Sequence, residues 1–484
     1  MQSKLKFEVG FLLLACIATV ALIALPPGVA VRLSGATADG LIYDQFAFTG
    51  GGGVILHGTV VSPTQTGLNR PGVVLVGGAG PGKRVEQLPE AQAFARGGLV
   101  SLIYDKRTVG YSQFALSYSL LADDAMAAVQ VLRTRAGIDP SNVGFWGESE
   151  GAWVTSLAAS RSTNVAFLIT VGASGVSPVR QTAWNWGNYL RHAGVSGSLL
   201  RTVQNPATRL VVAIGLFPEA NYDPVPPWEH VRQSVLALWG EYDQEVPSEE
   251  SSQIIRDALT RGGNTHYTIG FVPNAAHDMH VARDGGFGGA ASLITAPTTS
   301  TGFAPGYLDL VISWVSGLAE GLPVSTATQP TPHQDQLSTP LVPLGRYESP
   351  LIQLGAMLLF LIAFAGYPGA RVFRVGRTLP PVRLPARVLA ATGLATALGL
   401  LVYLFFVLET AGTIVGPVVA GRPLPWLLLQ LLAGTAVVAT VAMAATSWRA
   451  RHYLSDGSRA RLGLLLTGGV VLAPFAVYWG LLQP

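Results

Sequence analysis

The chain reads as an α/β protein, a mostly parallel sheet with helices on both faces, followed by helices of membrane length. Three observations predict this. Between residues 73 and 272, short apolar runs alternate with helical stretches, the pattern of a parallel sheet covered on both sides. A Gly-x-Ser-x-Gly sequence, Gly147-Glu148-Ser149-Glu150-Gly151, stands where one such run gives way to a helical stretch. Beyond residue 350 the chain turns apolar in four stretches, each near the ~20 residues that cross a bilayer.

Composition agrees with the division. The 484 residues suffice for two or three domains, with 49% hydrophobic and only 12% charged residues and a mean hydropathy of +0.40. Soluble proteins carry roughly 25% charge, so part of this chain belongs in lipid. The net charge is +3, and the arginines gather beside apolar segments instead of forming one basic face. That distribution points to membrane topology and away from nucleic acid. Cys16 is the single cysteine, which excludes an internal disulfide, a cysteine metal site and a thiol nucleophile.

Residues 1–32 place Lys4 and Lys6 ahead of an apolar run, 9–25. This is an uncleaved signal anchor or a signal peptide, and Pro27-Gly28-Val29-Ala30 would permit cleavage. Residues 33–322 form the globular domain. Its opening segments, 46–48 and 54–61, pair as antiparallel strands around the glycine turn at 50–53. Pro71-Gly72 introduces a buried strand at 73–76, and helical text follows at 88–96. A strand at 99–104 ends in Asp105-Lys106-Arg107-Thr108-Val109-Gly110-Tyr111-Ser112. The helix at 120–135 is stopped by Gly137 and Pro140. The strand and helix joined at Ser149 come next, then a strand at 166–171. Residues 176–232, rich in Trp, Asn and Pro, break the rhythm and are expected to form a helical cap over the catalytic face. Strands at 234–239 and 265–272 restore it, and a helix at 304–318 closes the domain after a Gly/Ala/Thr-rich loop at 285–301.

Residues 323–349, with their Pro, Thr and Gln, read as a linker. The membrane region, 350–484, holds spans at about 351–368, 388–409, 424–446 and 463–482. Arg371, Arg374, Arg377, Arg383 and Arg387 lie between the first two spans, and Arg449, Arg451, Arg459 and Arg461 between the last two. The middle loop holds only Arg422. Positive loops stay in the cytoplasm, which places residues 33–349 outside; Lys4 and Lys6 independently place the amino terminus inside. The expected location is multi-pass in a bacterial cytoplasmic membrane, with the globular domain on the extracytoplasmic side.

The chemistry is carried by residues in a particular chain order. Gly147 and Gly151 remove side chains that would collide at a sharp strand-to-helix turn, leaving Ser149 at its apex. Asp243 follows the strand at 234–239, and His277 follows the strand at 265–272. A serine hydroxyl needs an imidazole to take its proton, and the imidazole needs a carboxylate to hold its tautomer. His266 begins its strand, at the far end of the sheet from Ser149, and His280 lies deeper in the loop, so His277 is the expected base. Backbone N–H groups of Ala79, in the glycine-rich loop 77–82, and of Glu150 would form the oxyanion hole. No Walker-type phosphate loop is present in the sequence. No metal or organic cofactor is required by this set.

The motifs VVLVGGAGPG, YDKRTVGYS, GFWGESEGAW, LWGEYDQEVP and VPNAAHDMH, in that order, resemble the α/β-hydrolase superfamily over residues 43–320. The resemblance is to its serine aminopeptidase, esterase and acyl-thioesterase types, and it implies their fold and their Ser-Asp-His order. The chain departs from it at Gly77-Gly78, where many relatives carry His-Gly, and at Thr108, where they carry Gly. The resemblance does not extend to the membrane spans.

Other polar residues have plainer readings. Glu148 and Glu150 orient local hydrogen bonds or touch substrate. Asp105 and Arg107 form a structural ion pair after their strand or bind substrate, and Asp123 and Asp124 suit a helix dipole. Trp184, Trp186 and Trp228 line an acyl pocket or pack in the core. The whole implies a membrane-anchored serine hydrolase acting on an ester or thioester, with a small-molecule or lipid-like acyl substrate. A peptidase or an envelope acyltransferase of the same fold is an alternative. A non-catalytic sensor or binding domain on a transport or assembly protein is another.

Overall fold

The computed structural model describes residues 40–65, 69–112, 114–289, 302–322, 324, 326–330, 332–372 and 379–484. The signal or anchor expected at residues 1–32, Cys16, Arg374, Arg377 and most of the loop at 285–301 lie outside the described residues. The chain forms two compact units. One runs to residue 184, resumes at 215–289 and continues to 340; the other comprises 185–214 and 341–484.

The first unit is built on a sheet of nine strands among the described residues. They are β1 (Leu41–Thr49), β2 (Ile55–Pro63), β3 (Arg70–Val76), β4 (Val100–Tyr104), β5 (Ile138–Glu148), β6 (Phe167–Val171), β7 (Ser234–Gly240), β8 (Tyr267–Val272) and β9 (Ala327–Thr328). Their order is β1-β2-β4-β3-β5-β6-β7-β8-β9. β2 runs antiparallel to both β1 and β4, and the remaining neighbours are parallel. Every residue of β4 and β6 is buried, which is why these strands show no in–out alternation and are apolar except at Ser101 and Thr170.

Helices α1 (Leu88–Arg96), α2 (Tyr118–Arg133) and α3 (Glu150–Ser160) follow β3, β4 and β5 in turn. After β6 come α4 (Pro178–His192), α5 (Ser198–Thr202), α6 (Thr208–Ala213) and α7 (Val225–His230); α8 (Ser248–Arg261) and α9 (Tyr307–Ala319) follow β7 and β8. One face of the sheet packs Val74, Phe145 and Leu168 against Leu132, Trp153 and Leu259 from α2, α3 and α8. The other packs Leu75, Trp146 and Ile169 against Phe94 of α1 and Tyr307 and Val311 of α9. Such double cover follows from right-handed crossovers between parallel strands.

Two ion pairs differ from the expected Asp105–Arg107 contact. Arg107 reaches Asp124 instead, with Nε to Oδ2 at 2.7 Å and Nη2 to Oδ1 at 2.6 Å. It also donates to Gly51 O at 2.7 Å, and Gly51 N donates back to Asp124 Oδ1 at 2.8 Å. Both side chains are almost fully buried. Asp105 pairs with Arg84. Asp124 therefore fastens the β1–β2 turn to the loop after β4, and a dipole role does not account for it.

Of residues 323–349, expected as a linker, the described ones up to residue 340 group with the first unit. β9 pairs with β8, Phe271 N donates to Gln329 Oε1 at 2.9 Å, and Trp184 Nε1 donates to Gln336 O at 2.7 Å.

In the second unit four helices have the length and apolar character to cross a membrane: α10 (Pro350–Gly369), α11 (Pro380–Glu409), α12 (Leu424–Arg449) and α13 (Asp456–Tyr478). α11 begins earlier than the apolar run does, because Pro380 and Pro381 suit a first turn and bring Arg383 and Arg387 into the helix. α13 starts at the Ser455 cap, whose side chain accepts from Ser458 N, and ends at residue 478, before the expected 482. Residues 185–214, expected in the cap, group with these helices. Leu190, Val195, Leu199 and Val203 share one apolar cluster with Leu400, Trp426 and Leu481. Ser198 Oγ accepts from Trp426 Nε1 at 3.0 Å and Gln430 Nε2 at 3.2 Å, and Thr202 Oγ1 donates to Trp479 O at 3.1 Å. Arg209 grips Glu348 through two bonds of 2.9 and 2.7 Å.

Removing one partner of a buried ion pair strands the other charge. Asp124→Asn is expected to lower stability by roughly 3–5 kcal/mol, read as a depressed unfolding midpoint of the detergent-solubilised protein. An unchanged midpoint would contradict the role given to this pair.

Candidate active site

Ser149 joins β5 to α3 with φ 52° and ψ −116°, a backbone conformation that side chains other than glycine rarely adopt. Its N–H donates to Val171 O at 2.9 Å, and its carbonyl accepts from Ala152 N at 2.9 Å. A side chain at Gly151 would strike the Val76 carbonyl, and one at Gly147 would strike Thr155 and Gly151. The two glycines thus let α3 start against the ends of β3 and β5, which turns Ser149 outward.

Asp243 follows β7 and is buried. Its Oδ1 accepts from the N–H groups of Glu245 and Val246, both at 2.9 Å, so its orientation is set by its own turn. Its Oδ2 lies 2.9 Å from His277 Nδ1. That contact makes Nδ1–H the donor and leaves Nε2 facing the other way. His277 is only 8% exposed, and Nε2 has no hydrogen-bond partner among the described residues, Ser149 Oγ included. Nucleophile–base bonds are commonly long before substrate binds. The His277 ring covers Gly172, where a side chain would run into it, and Gly172 follows the Val171 carbonyl that holds Ser149 N–H.

The competing histidines are committed elsewhere. His280 Nδ1 is 3.2 Å from Asp278 Oδ2, and its ring packs on Phe303. His266 is near the opposite end of β8, with Nδ1 3.4 Å from Val324 O. Burial opposes a charge on His277, but the Asp243 and Glu245 carboxylates and the Asp243 hydrogen bond outweigh it, pushing the imidazole up to about 10.

The expected oxyanion donors are tied together by side chains that sequence reasoning did not single out. Lys106 Nζ lies 2.9 Å from Glu150 Oε1 and donates also to Gly78 O. Tyr111 OH donates to the same Glu150 oxygen at 2.8 Å and accepts from Gly80 N at 2.9 Å. Gly78 and Gly80 flank Ala79, so the loop bearing one expected donor is fastened on both sides of it. The fastening point is the side chain of the residue bearing the other donor. Glu150 opens α3, and its N–H has no acceptor within that helix. Burial, then the Glu150 charge, hold the Tyr111 phenol well above its usual range, which keeps it a neutral donor. The only sequence signal for Lys106 and Tyr111 was their presence in the segment after β4.

Trp228 is fully buried, and Trp153 packs tilted against Tyr118 and edge-on against Tyr222, with ring centroids 5.5 and 6.4 Å away. Among the described residues no cluster of His, Cys, Asp and Glu could hold a metal ion.

Antiparallel β2, the crossover order 2-4-3-5 and a serine elbow after β5 define a protein of the α/β-hydrolase fold. The family model described as BAAT / acyl-CoA thioester hydrolase C terminal matches residues 126–281. The polyketide transferase claH of Penicillium crustosum is 30% identical over 137 residues, which are 27% of this chain and 44% of that protein. The chain thus spans less than half the length of this curated relative. Among solved structures, a hypothetical protein from Pseudomonas aeruginosa is 13% identical, with a TM-score of 0.38 over 60% of this chain and 98% of its own. The dienelactone hydrolase of Anabaena variabilis is 17% identical, with a TM-score of 0.33 over 58% and 99%.

Two outcomes follow from the geometry. Tyr111→Phe removes both the donor to Glu150 and the acceptor for Gly80 N–H, and is expected to lower kcat roughly 10- to 100-fold with KM little changed. A change confined to KM would contradict an oxyanion-positioning role. The pH dependence has a definite sign. A base must be neutral, and His277 is raised, so kcat/KM is expected to climb with pH above the ordinary imidazole range. A profile already flat at neutral pH would show that the carboxylates do not hold the proton on His277.

Proposed function

We propose that this chain is a membrane-anchored serine hydrolase that cleaves a carboxylic ester or thioester through an acyl-Ser149 intermediate. The observation that carries the reading is the 2.9 Å bond between Asp243 and His277 at the ends of β7 and β8, beside a serine elbow at the end of β5. His277 Nε2 takes the Ser149 proton as Oγ attacks the carbonyl carbon. The oxyanion so formed is held by the Ala79 and Glu150 N–H groups. Collapse expels the leaving group, which receives the proton from Nε2. Water then attacks the acyl-serine with the same base, releasing the acid and restoring Ser149. Asp243 keeps the imidazole in the required tautomer throughout.

The match to the acyl-CoA thioester hydrolase model supports an acyl substrate. The name of the curated relative, a polyketide transferase, favours a second reading, in which an acceptor other than water takes the acyl group. The four apolar helices support membrane attachment. The arginine-rich segments beside α11 and α13 favour a cytoplasmic side for those loops and an outward-facing catalytic domain.

A membrane-impermeant fluorophosphonate probe applied to intact cells tests both the nucleophile and the side. Labelling of the wild type and not of Ser149→Ala is expected. Labelling only after lysis would overturn the outward placement, and equal labelling of Ser149→Ala would overturn the nucleophile.

A further inference from the structure

One acid is enclosed on α1, the helix that follows the glycine-rich loop 77–82. Glu90 shares α1 with the buried Ala91, Phe94 and Ala95, and only 7% of it is exposed. Its Oε2 has no hydrogen-bond partner, and no cation pairs with it among the described residues. The base that faces it, His280, is engaged by Asp278, with Nδ1 3.2 Å from Oδ2. A carboxylate enclosed without a cation or donors is strongly disfavoured, and such a group escapes by keeping its proton.

The charged and titratable groups around Glu90 are few. Glu148 faces it from the end of β5, Asp278 and His280 from the loop after β8, and the Tyr307 phenol from α9. Burial, and then the Glu148 charge, push the Glu90 carboxyl up to about 8. Burial raises Glu148 as well, but Glu148 is partly exposed and feels the attraction of His277. Of the two, Glu148 therefore keeps its charge and Glu90 its proton. This pair lies close to the proposed reaction. A side chain at Gly77 would run into the Gln87 amide, one turn before Glu90. A side chain at Gly78 would begin 3.4 Å from Ser149 Cβ and 4.0 Å from the Glu148 carboxyl carbon. Glu148 thus borders both the nucleophile and the loop expected to hold the oxyanion. A second negative charge beside it would oppose the charge that develops there.

Resting on the hydrolase reading above, we infer that Glu90 is a neutral carboxylic acid whose proton is required for the oxyanion to form at the loop 77–82. It passes no proton to substrate. It is a positioning residue that acts through Glu148, by keeping a second charge out of the space behind Ser149.

The test compares full-length wild type in detergent with Glu90→Gln, which keeps the shape of the side chain and stays neutral at every pH. The substrates are p-nitrophenyl acetate and S-phenyl thioacetate. The climb in kcat/KM set by His277 is common to both proteins, so the Glu90 proton shows in their ratio. The ratio of wild type to variant is expected to be constant below about pH 7 and to fall roughly 10-fold by about pH 9.5. Infrared difference spectra supply a readout that needs no turnover. The carbonyl band of a protonated carboxyl group is expected in wild type at neutral pH, absent from Glu90→Gln, and lost from wild type as the pH passes about 8. In Glu148→Gln the loss should move to lower pH, and an unmoved loss would overturn the coupling between the two acids. A ratio that does not change with pH would overturn the role in the reaction, and a missing band would overturn the neutral acid. If the band behaves as expected while wild type and variant turn over neither substrate, the hydrolase reading fails, the oxyanion role falls with it, and the neutral acid stands.

Discussion

Ser149 is held at φ 52°, in a region that costs a residue with a side chain roughly 1–3 kcal/mol unless its surroundings impose it. They do so from three directions. The Val171 carbonyl fixes the Ser149 N–H, α3 begins immediately after it, and the closeness of Val76 to Gly151 leaves no space in which the turn could relax. β5, β6, β7 and β8 are consecutive neighbours in the sheet, and their carboxyl ends supply Ser149, Gly172, Asp243 and His277 in that order. The proposed catalytic geometry therefore follows from strand order together with the short loops after β7 and β8. Ligand sites at the carboxyl ends of parallel strands are the general outcome of such sheets.

Charge is distributed around this turn in two different ways. On the side of the expected oxyanion donors every group is answered: Lys106, Tyr111 and Glu150 bond one another and the loop on either side of Ala79. Buried networks satisfied to this degree hold a single geometry, which suits donors that must be in place before charge develops. On the imidazole side the negative groups exceed the positive. The Asp243 and Glu245 carboxylates face the ring and raise His277.

Much of this was legible in the sequence because it depends on local spacing. Gly147 and Gly151 announce the elbow, and the strands before Asp243 and His277 announce where those residues emerge. The rest depends on contacts between distant positions. Glu150 meets Lys106 across 44 residues and Tyr111 across 39, and no periodicity links them. Asp105 is two residues from Arg107 and looked like its partner, yet Arg107 turns to Asp124 because the buried bidentate contact also closes the turn at Gly51. β9 is two exposed residues in a Pro- and Thr-rich stretch, too short to carry an alternating pattern. Residues 185–214 read as a helical cap, and nothing in their spacing announces that Trp426 and Leu481 pack with them. That packing also gives the second unit a structural task besides the proposed anchoring, since Ser198, Thr202 and Arg209 find their partners in it.

The central claim is that Ser149 carries the acyl group. Rapid mixing of the full-length protein with a slowly deacylating ester, followed by peptide mass spectrometry, tests it most directly. The account predicts an acyl adduct on the peptide containing Ser149, absent in Ser149→Ala and slow to form in His277→Ala. Wild-type turnover by Ser149→Ala, or an adduct on a different residue, would contradict it.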